Sequence, residues 1–189
     1  MRKTESHFSL SAVIAVTILK AKSPPFSAEF RGQERDIQWW QKFVTVYNGV
    51  TVISDSPWSS VDEVFSTDAC LTGAGGIFDT QFFHVQFPDF IGRLNLDINC
   101  LEYLTIVIAS KLWGHRWAQR RIMLHCDNLV SVQVLNSGRT RHPFLADCVR
   151  ELWFLPAQFD FELRAVHIPG NDNRIAEKVQ DTKRPYENI

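Results

Sequence analysis

One stretch decides the fold: Phe65-Ser-Thr-Asp68-Ala-Cys-Leu-Thr-Gly-Ala-Gly75-Gly-Ile77. It predicts a buried strand over Val64–Thr67 that delivers one acidic residue, Asp68, followed by a glycine-rich turn. A second strand is expected from Gly75 to Phe78. Small residues after a carboxylate let another group approach the backbone closely. Taken alone, these residues are explained more simply by an ordinary β-hairpin with an incidental aspartate in its turn.

The chain of 189 residues has the length of one domain with an appendage, and its 45% hydrophobic and 12% aromatic residues indicate a globular protein. The net charge of -1 identifies no partner, but its distribution is uneven. Residues 62–102 carry seven acids and one base, and residues 111–150 carry seven bases and two acids. This pattern fits a metal site beside a groove for a polyanion. It fits equally well two solvated segments that neutralise each other.

The four cysteines form no CxxC pair, so the sequence does not predict a structural zinc site, and reduced thiols are expected. The apolar run at residues 10–19 follows Arg2 and Lys3 in the manner of a signal peptide, but it is too short to span a bilayer. We therefore expect an intracellular protein, cytoplasmic or nuclear, with no membrane partner.

The chain divides into four predicted parts. Residues 1–33 remain unassigned, residues 34–61 form a helix and a linker, residues 62–180 form the main domain, and residues 181–189 form a tail. Within the second part, Glu34–Tyr47 is predicted to be an amphipathic helix, because its apolar residues step by three and four. The adjacent Trp39 and Trp40 cannot both face one core.

The main domain alternates between strand and helix patterns. Three short strands in succession predict an antiparallel meander. The predicted elements are strands Val64–Thr67, Gly75–Phe78 and Phe82–Gln86, helix Asn99–Trp113, strand Arg121–Cys126, helices Val130–Asn136 and Phe144–Gln158, strand Phe161–His167 and helix Asp172–Val179. Their order predicts an α/β fold, with a mixed five-stranded sheet (three antiparallel strands, then parallel strands) flanked by helices.

Acidic residues fall at the ends of the predicted elements. Asp68 ends the first strand and Asp127 follows the strand that ends at Cys126. Ligands of open α/β sheets bind beyond the strand ends, and a cation explains two carboxylates there better than packing does. Glu102 lies in the first turn of the buried helix, where a capping box with Asn99 is the competing interpretation. Glu177 lies in the last predicted helix, where its local sequence also fits a solvated surface residue.

Together, four carboxylates form a set that hard cations such as Mg²⁺ or Mn²⁺ prefer, and two such ions can hydrolyse a phosphodiester. The stretch after Asp127 is basic and rich in hydrogen-bonding side chains, which suits phosphates and 2′-hydroxyls. A polar loop at the end of a helix is the simpler interpretation of its last part. The predicted substrate-binding residues are Asn128, Ser131, Gln133, Arg139, Arg141 and, on the second strand, Gly75.

Four short motifs occur in a fixed order: Ser66-Thr-Asp68-Ala, Asn99-Cys-Leu-Glu102, His125-Cys-Asp127-Asn128 and His167-Ile-Pro-Gly-Asn-Asp-Asn173-Arg-Ile-Ala-Glu177. In this order they resemble the type-1 ribonuclease H domains of reverse-transcribing elements. Three longer strings resemble DIRS-like (tyrosine-recombinase) retrotransposon polyproteins: Asp36-Ile-Gln-Trp-Trp40, Leu112-Trp-Gly-His-Arg-Trp117 and Ser131-Val-Gln-Val-Leu-Asn-Ser-Gly-Arg-Thr140. The resemblance extends over roughly residues 30–180.

The resemblance implies a ribonuclease H-like fold for residues 62–180 and hydrolysis of the RNA strand of RNA–DNA hybrids with two Mg²⁺ or Mn²⁺ ions. Asp68, Glu102 and Asp127 match three of the four metal-binding carboxylates of the family. His167 matches a loop histidine that assists catalysis in some members. Glu177 stands where the family has aspartate, and helix Glu34–Tyr47 resembles the connection to an upstream reverse transcriptase.

Departures from the family keep other functions open. The longer side chain of Glu177 displaces its carboxylate by about 1 Å, and a misplacement of that size can cost on the order of 100-fold in rate. Residues 1–61 contain no paired-aspartate polymerase motif, so a reverse transcriptase is expected only in the parent element. The first alternative is a degenerate or domesticated fragment that binds nucleic acid with little activity. Another is a different nuclease of the same fold, such as a transposase or an exonuclease.

Overall fold

The computed structural model describes residues 28–47, 49, 57–170 and 173. The elements in chain order are α1 (Ala28–Val46), β1 (Glu63–Ala69), β2 (Gly73–Phe78), β3 (Gln81–Gln86), α2 (Asp89–Gly92), α3 (Ile98–Trp113), a 3-10 turn (Gly114–Arg116), β4 (Arg121–Cys126), α4 (Leu129–Ser137), α5 (Pro143–Phe159) and β5 (Glu162–His167). The short helix α2 is absent from the sequence prediction. The predicted helix Asp172–Val179 lies outside the described residues except for Asn173.

The five strands form one mixed sheet in the order β3-β2-β1-β4-β5. Strands β1, β2 and β3 pair in antiparallel fashion, whereas β4 runs parallel to both β1 and β5. The predicted fold class is therefore confirmed. Strand β1 lies at the centre of the sheet, so the side chains at its end are covered by neighbours on both sides.

Strand β2 begins at Gly73, two residues before its predicted start at Gly75, so Gly73 belongs to the strand and not to the predicted turn. A Cβ atom on Gly73 would lie 2.7 Å from the carbonyl oxygen of Val85, and one on Gly76 would lie 2.6 Å from the Phe83 ring. These distances are too short for a real side chain. The glycines therefore allow β3 and the Phe83 ring to pack closely on β2.

Helix α3 is buried on all sides from Cys100 to Ser110, as its apolar sequence predicts. It packs against β1, β2 and α5. Beyond its end, Trp117 is fully buried, and its ring lies 4.9 Å from the Phe65 ring of β1. This aromatic cluster fixes α3 against the centre of the sheet.

Helix α1 packs on α5 with a face other than the apolar stripe in its sequence. The Trp39 indole nitrogen donates a hydrogen bond to the carbonyl of Arg150 at 3.1 Å, and Phe43 is only 6% exposed. The residues whose spacing predicts the helix are instead exposed: Ile37, Trp40, Val44 and Tyr47. Of the two adjacent tryptophans, Trp39 contacts the domain and Trp40 faces solvent.

The residues just before β1 contact strands β4 and β5. The Trp58 indole nitrogen donates to Glu162 Oε2 at 2.9 Å, and the Arg164 guanidinium lies 4.5 Å from the centre of the Trp58 ring. Asp62 Oδ2 accepts from the Arg121 backbone N–H at 2.8 Å. The end of the predicted linker is thus packed against β4 and β5. Among the described residues, no helix is both long and apolar enough to cross a membrane.

Candidate metal centre at the sheet edge

Two acidic residues lie side by side because β1 and β4 are parallel. The strand register places Ser66 opposite His125, so Asp68 and Asp127, each two residues further on, lie at the same edge of the sheet. Asp68 is only 8% exposed, and Asp127 is half-buried. The carboxyl ends of the central strands therefore carry closely placed charges, as the sequence predicts.

Helix α3 adds Glu102 to the same edge. Glu102 is 5% exposed, and its Oε1 accepts a hydrogen bond from the Ala69 backbone N–H at 3.3 Å. The capping-box interpretation is wrong, because Asp97 is the N-cap residue and accepts from the Cys100 N–H at 2.9 Å. Glu102 is thus too far into the helix to cap it, and its carboxylate faces the end of β1.

The electrostatic environment of Glu102 disfavours its charged form. Burial, first of all, and then repulsion by the Asp68 and Asp127 carboxylates raise the pKa of Glu102 to about 9, although the Ala69 N–H acts in the opposite direction. Its Oε2 is buried without a hydrogen-bond partner among the described residues. A cation at this position would favour the ionised carboxylate and supply the missing partner.

Asn173 approaches Asp127 from the other side. Its Nδ2 donates to the Thr67 carbonyl at 3.2 Å and to Asp127 Oδ1 at 3.3 Å, and the residue is 3% exposed. Gly170 also lies close, because a Cβ atom there would be 3.4 Å from Asp127 Oδ2. Asn173 lies within the fourth sequence motif, but its local sequence gives no sign that it contacts Asp127.

Cys126 is a second residue of this site to which its sequence motif assigns no role. Potential ligand atoms of Glu102, Cys126 and Asp127 lie within 4.8 Å of one another. Burial, first of all, raises the pKa of the Cys126 thiol to about 12. The thiol is therefore neutral near pH 7. Its only outward signal in the sequence is its position directly before Asp127.

His167 ends β5 at the same edge of the sheet. It is exposed, and its Nε2 donates to the backbone carbonyl of Asp127 at 3.1 Å. The strand register places it opposite Cys126. Glu177, the fourth predicted carboxylate, lies outside the described residues.

The predicted substrate residue Asn128 organises the start of helix α4. Its Oδ1 accepts from the Ser131 backbone N–H at 2.9 Å, and its Nδ2 donates to Asn99 Oδ1 at 3.0 Å. Asn99 is therefore tied to the start of α4 and does not cap its own helix. Ser131 is buried, with 1% of its surface exposed, so its hydroxyl does not face solvent in this structure.

The other predicted substrate residues lie in different surroundings. Gln133 is exposed on α4, and Arg139 and Arg141 are exposed in the loop between α4 and α5. Gly75 lies in β2, where it pairs with Asp68 on one side and with His84 on the other. Gly75 is thus the strand neighbour of the first candidate metal ligand. Its contact with a substrate, like those of the side chains, stays a prediction.

The described residues fit a hard divalent cation. Asp68, Glu102 and Asp127 supply carboxylate oxygens from two strands and one helix, and oxygen ligands are those that Mg²⁺ and Mn²⁺ prefer. Without a cation, burial and then repulsion by the two neighbouring aspartates raise the pKa of Glu102. The site is therefore a candidate metal centre.

Comparison with known proteins identifies the architecture. No protein-family model matches the chain, and no curated protein sequence matches it. Among solved structures, it is similar to a ribonuclease H1 in complex with an RNA/DNA hybrid, at 14% identity and a TM-score of 0.52, over 62% of this chain and 93% of that one. It is also similar to an N-terminal ribonuclease H domain from Mycobacterium tuberculosis, at 18% identity and a TM-score of 0.51, over 65% of this chain and 92% of that one.

The fold is that of ribonuclease H. At identities of 14% and 18%, this likeness concerns the architecture and leaves the activity to be argued from the residues. In this chain, the ribonuclease H fold places the carboxylates of β1, α3 and β4 at one edge of the sheet.

Proposed function

We propose that this chain is a nuclease that hydrolyses the RNA strand of RNA–DNA hybrids at the site formed by Asp68, Glu102 and Asp127. The observation that carries the proposal is the convergence of these three carboxylates, two of which are buried. The fold that holds them is similar to that of a ribonuclease H1 in complex with an RNA/DNA hybrid. The residues would hold two Mg²⁺ or Mn²⁺ ions, with Glu177 as the fourth ligand. Bound ions of this kind activate a water molecule and stabilise the leaving oxygen of a phosphodiester.

Each side chain has a distinct task in this proposal. Asp68 and Asp127 bind the metal, and Glu102 completes the ligand set and orients water. Asn173 positions the Asp127 carboxylate through the hydrogen bond to Oδ1. His167 is exposed beside Asp127 and assists proton transfer or product departure.

The basic loop between α4 and α5 is the proposed binding region for the nucleic acid. Arg139 and Arg141 are exposed there, Asn128 is the N-cap of the preceding helix, and Gln133 lies on that helix. Guanidinium groups suit phosphates, and amides suit 2′-hydroxyls. In this proposal the polyanion binds next to the acidic metal centre, and the metal ions offset the repulsion between the carboxylates and the phosphates.

The test is a cleavage assay on a hybrid with a labelled RNA strand, in the presence of Mg²⁺ or Mn²⁺. We expect the Asp68→Asn variant to lose cleavage, because the amide removes a metal-binding charge at almost constant volume. Asp79→Asn is the matched control, since Asp79 is exposed in the β2–β3 turn and asparagine tolerates its φ of 54°. Equal cleavage by the wild type and Asp68→Asn would contradict the proposed site.

Glu177 in place of the family's aspartate favours a second candidate function, a degenerate fragment that binds nucleic acid with little activity. The two candidates differ in turnover on the hybrid, which only the first predicts. In the second case, Glu177→Asp is expected to raise the rate by on the order of 100-fold, because it returns the carboxylate by about 1 Å. A variant no faster than the wild type would show that Glu177 is not the defect.

We propose in addition that the chain derives from a DIRS-like retrotransposon. The longer strings that carry this resemblance, such as Leu112-Trp-Gly-His-Arg-Trp117, support it. The expected finding is a reverse-transcriptase reading frame upstream of this one in the genomic DNA of related copies. An isolated gene with no such frame near any copy would count against it.

A further inference from the structure

A second group of metal-ligating side chains lies at the starts of two helices. Asp97 and Cys100 belong to the start of α3, and His142 belongs to the start of α5. Their potential ligand atoms lie within 4.8 Å of one another. This group contains a thiol and an imidazole as well as a carboxylate, and it shares no residue with the candidate metal centre.

The first two members are brought together by helix capping. Asp97 is the N-cap of α3, and its Oδ1 accepts from the Cys100 N–H at 2.9 Å. Cys100 is the third helical residue, and side chains at the N-cap and at this position face each other. An Asp-x-x-Cys sequence at the start of a helix therefore presents a carboxylate and a thiol on one side.

The third member approaches from α5. His142 is the N-cap of that helix, and its Nδ1 and Nε2 lie 3.5 Å and 3.8 Å from Cys100 Sγ. The Leu145 N–H is 3.5 Å from the same Nδ1, which is the long limit of a hydrogen bond. A metal ion that takes this nitrogen would displace only a weak contact.

The three residues differ in burial, and the difference leaves one side of the group accessible. Cys100 is fully buried, whereas Asp97 and His142 are exposed. The thiol thus forms the inner wall of the group, and the outer side is open to solvent. Three protein ligands with one open position are a common arrangement around zinc, where water completes the tetrahedron.

We propose that Asp97, Cys100 and His142 bind one Zn²⁺ ion that joins the N-termini of α3 and α5. Sulfur and imidazole ligands favour zinc over the hard cations that the carboxylate centre suits. Binding would replace the thiol proton of Cys100, which passes to the buffer. The inference does not depend on the proposed nuclease activity.

The ligand pattern is not visible in the sequence. Zinc ligands are recognisable in a sequence when they form close pairs such as CxxC, and here His142 is 42 residues from Cys100. Only the packing of α3 against α5 brings the two segments together. The close pair in this group is Asp97 and Cys100, which has the CxxC spacing but has aspartate in place of the first cysteine.

The test is titration of the full chain with Co²⁺ as a spectroscopic substitute and then with Zn²⁺ in competition. We expect a thiolate-to-cobalt absorption band that Zn²⁺ removes. Cys100→Ser should abolish the band. Cys70→Ser is the matched control, since Cys70 is not a member of the group and lies in the β1–β2 turn, with its Sγ 3.3 Å from Thr72 Oγ1.

Two further variants test the imidazole ligand and the choice of thiol. His142→Asn keeps a good N-cap for α5 and removes the imidazole, so it should fold normally and bind zinc at least about tenfold more weakly. Cys126→Ser tests the other thiol near carboxylates and should retain the band. The proposal is overturned if the wild type gives no thiolate band, or if the band survives Cys100→Ser. Loss of a surviving band in Cys126→Ser would assign the thiolate ligand to Cys126 instead.

Discussion

The Glu102 carboxyl group couples the candidate metal centre to the stability of the fold. Its pKa is raised from 4.5 to about 9, mainly by burial, so the folded chain without metal keeps a proton that the unfolded chain releases. Its contribution to stability is present below the unfolded pKa and is lost as the pH rises through the folded one. The window of this loss is therefore pH 4.5 to about 9.

We predict that Glu102→Gln stabilises the metal-free chain relative to the wild type, and increasingly so as the pH rises across that window. Glutamine has nearly the same shape and cannot ionise. Urea unfolding in the presence of a chelator, at about pH 5 and about pH 8, measures the two free energies. Glu63→Gln serves as the control, because Glu63 is partly exposed and pairs with Arg120. A constant difference between Glu102→Gln and the wild type would contradict the raised pKa.

Asn173 provides a second prediction at this scale. Asn173→Ala removes the donor to Asp127 Oδ1 and to the Thr67 carbonyl, so the Asp127 carboxylate loses its orientation. We expect Mg²⁺ affinity to fall by about 10- to 100-fold, as for other residues that orient metal ligands. The Mg²⁺ dependence of the thermal midpoint measures this affinity. Asn95→Gly, at an exposed position with φ 47°, should leave it unchanged.

Three of the site residues could be predicted from the sequence because each stands at the end of an element whose pattern is strong. Asp68 and Asp127 follow strands, and Glu102 lies in a helix that is apolar all round. Asn173 and Cys126 could not, since their role depends on which segments the sheet register brings together. Candidate metal ligands can thus be visible in a sequence while the residues that contact them are not.

Among the elements, strand β2 shows how glycine positions are set by packing. We predict that Gly76→Ala destabilises the protein by about 1–3 kcal/mol, because the added Cβ would lie 2.6 Å from the Phe83 ring and 3.3 Å from the Ser66 carbonyl. Gly92→Ala is the matched control. Gly92 is helical with nothing near its Cβ position, so alanine there should be neutral or stabilising. Unfolding in urea distinguishes the two, and equal effects would contradict the close packing of β2 on β3.

Helix α1 shows where periodicity identifies an element correctly but not the face that packs. The stripe of Ile37, Trp40, Val44 and Tyr47 satisfies the helical spacing, yet the structure exposes it. The packed face is formed by Trp39 and Phe43, which are four residues apart and therefore form a second apolar stripe with helical spacing. Because the helix has two apolar stripes, the surface of α5 decides which stripe packs. The local sequence of α1 carries no information about that surface.

This choice of face leads to a prediction. Phe43→Ala should destabilise the packing of α1 by about 3 kcal/mol, because Phe43 is 6% exposed and contacts the Phe154 ring at 6.5 Å between centroids. Trp40→Ala should change stability by less than about 0.5 kcal/mol, since Trp40 is 56% exposed. Hydrogen exchange of the α1 amides measures both. A larger loss of protection in Trp40→Ala would show that the outer stripe is the one that packs.

At the scale of the whole molecule, the charge is nearly balanced, with a net charge of -1. Attraction of a polyanion must therefore come from how the charges are distributed over the fold. The acidic residues 62–102 include two of the candidate metal ligands, and the basic residues 111–150 include the exposed loop after α4. The ribonuclease H fold brings the ends of β1 and β4 together, and helix α4, which begins just after Asp127, separates this acidic edge from the basic loop.

The last prediction concerns the salt dependence of binding to an RNA–DNA hybrid, measured with the Asp68→Asn variant to prevent cleavage. Each phosphate contact that is lost should lower the slope of log affinity against log salt by about 0.9. We expect Arg139→Gln and Arg141→Gln each to lower the slope by about that amount, because both are exposed in the loop after α4. Arg120→Gln is the control, since Arg120 lies just before β4, at the opposite edge of the sheet from Asp127, and pairs with Glu63. If Arg120→Gln lowers the slope as much as the loop variants do, the prediction fails, because Arg120 and Asp127 flank opposite ends of β4.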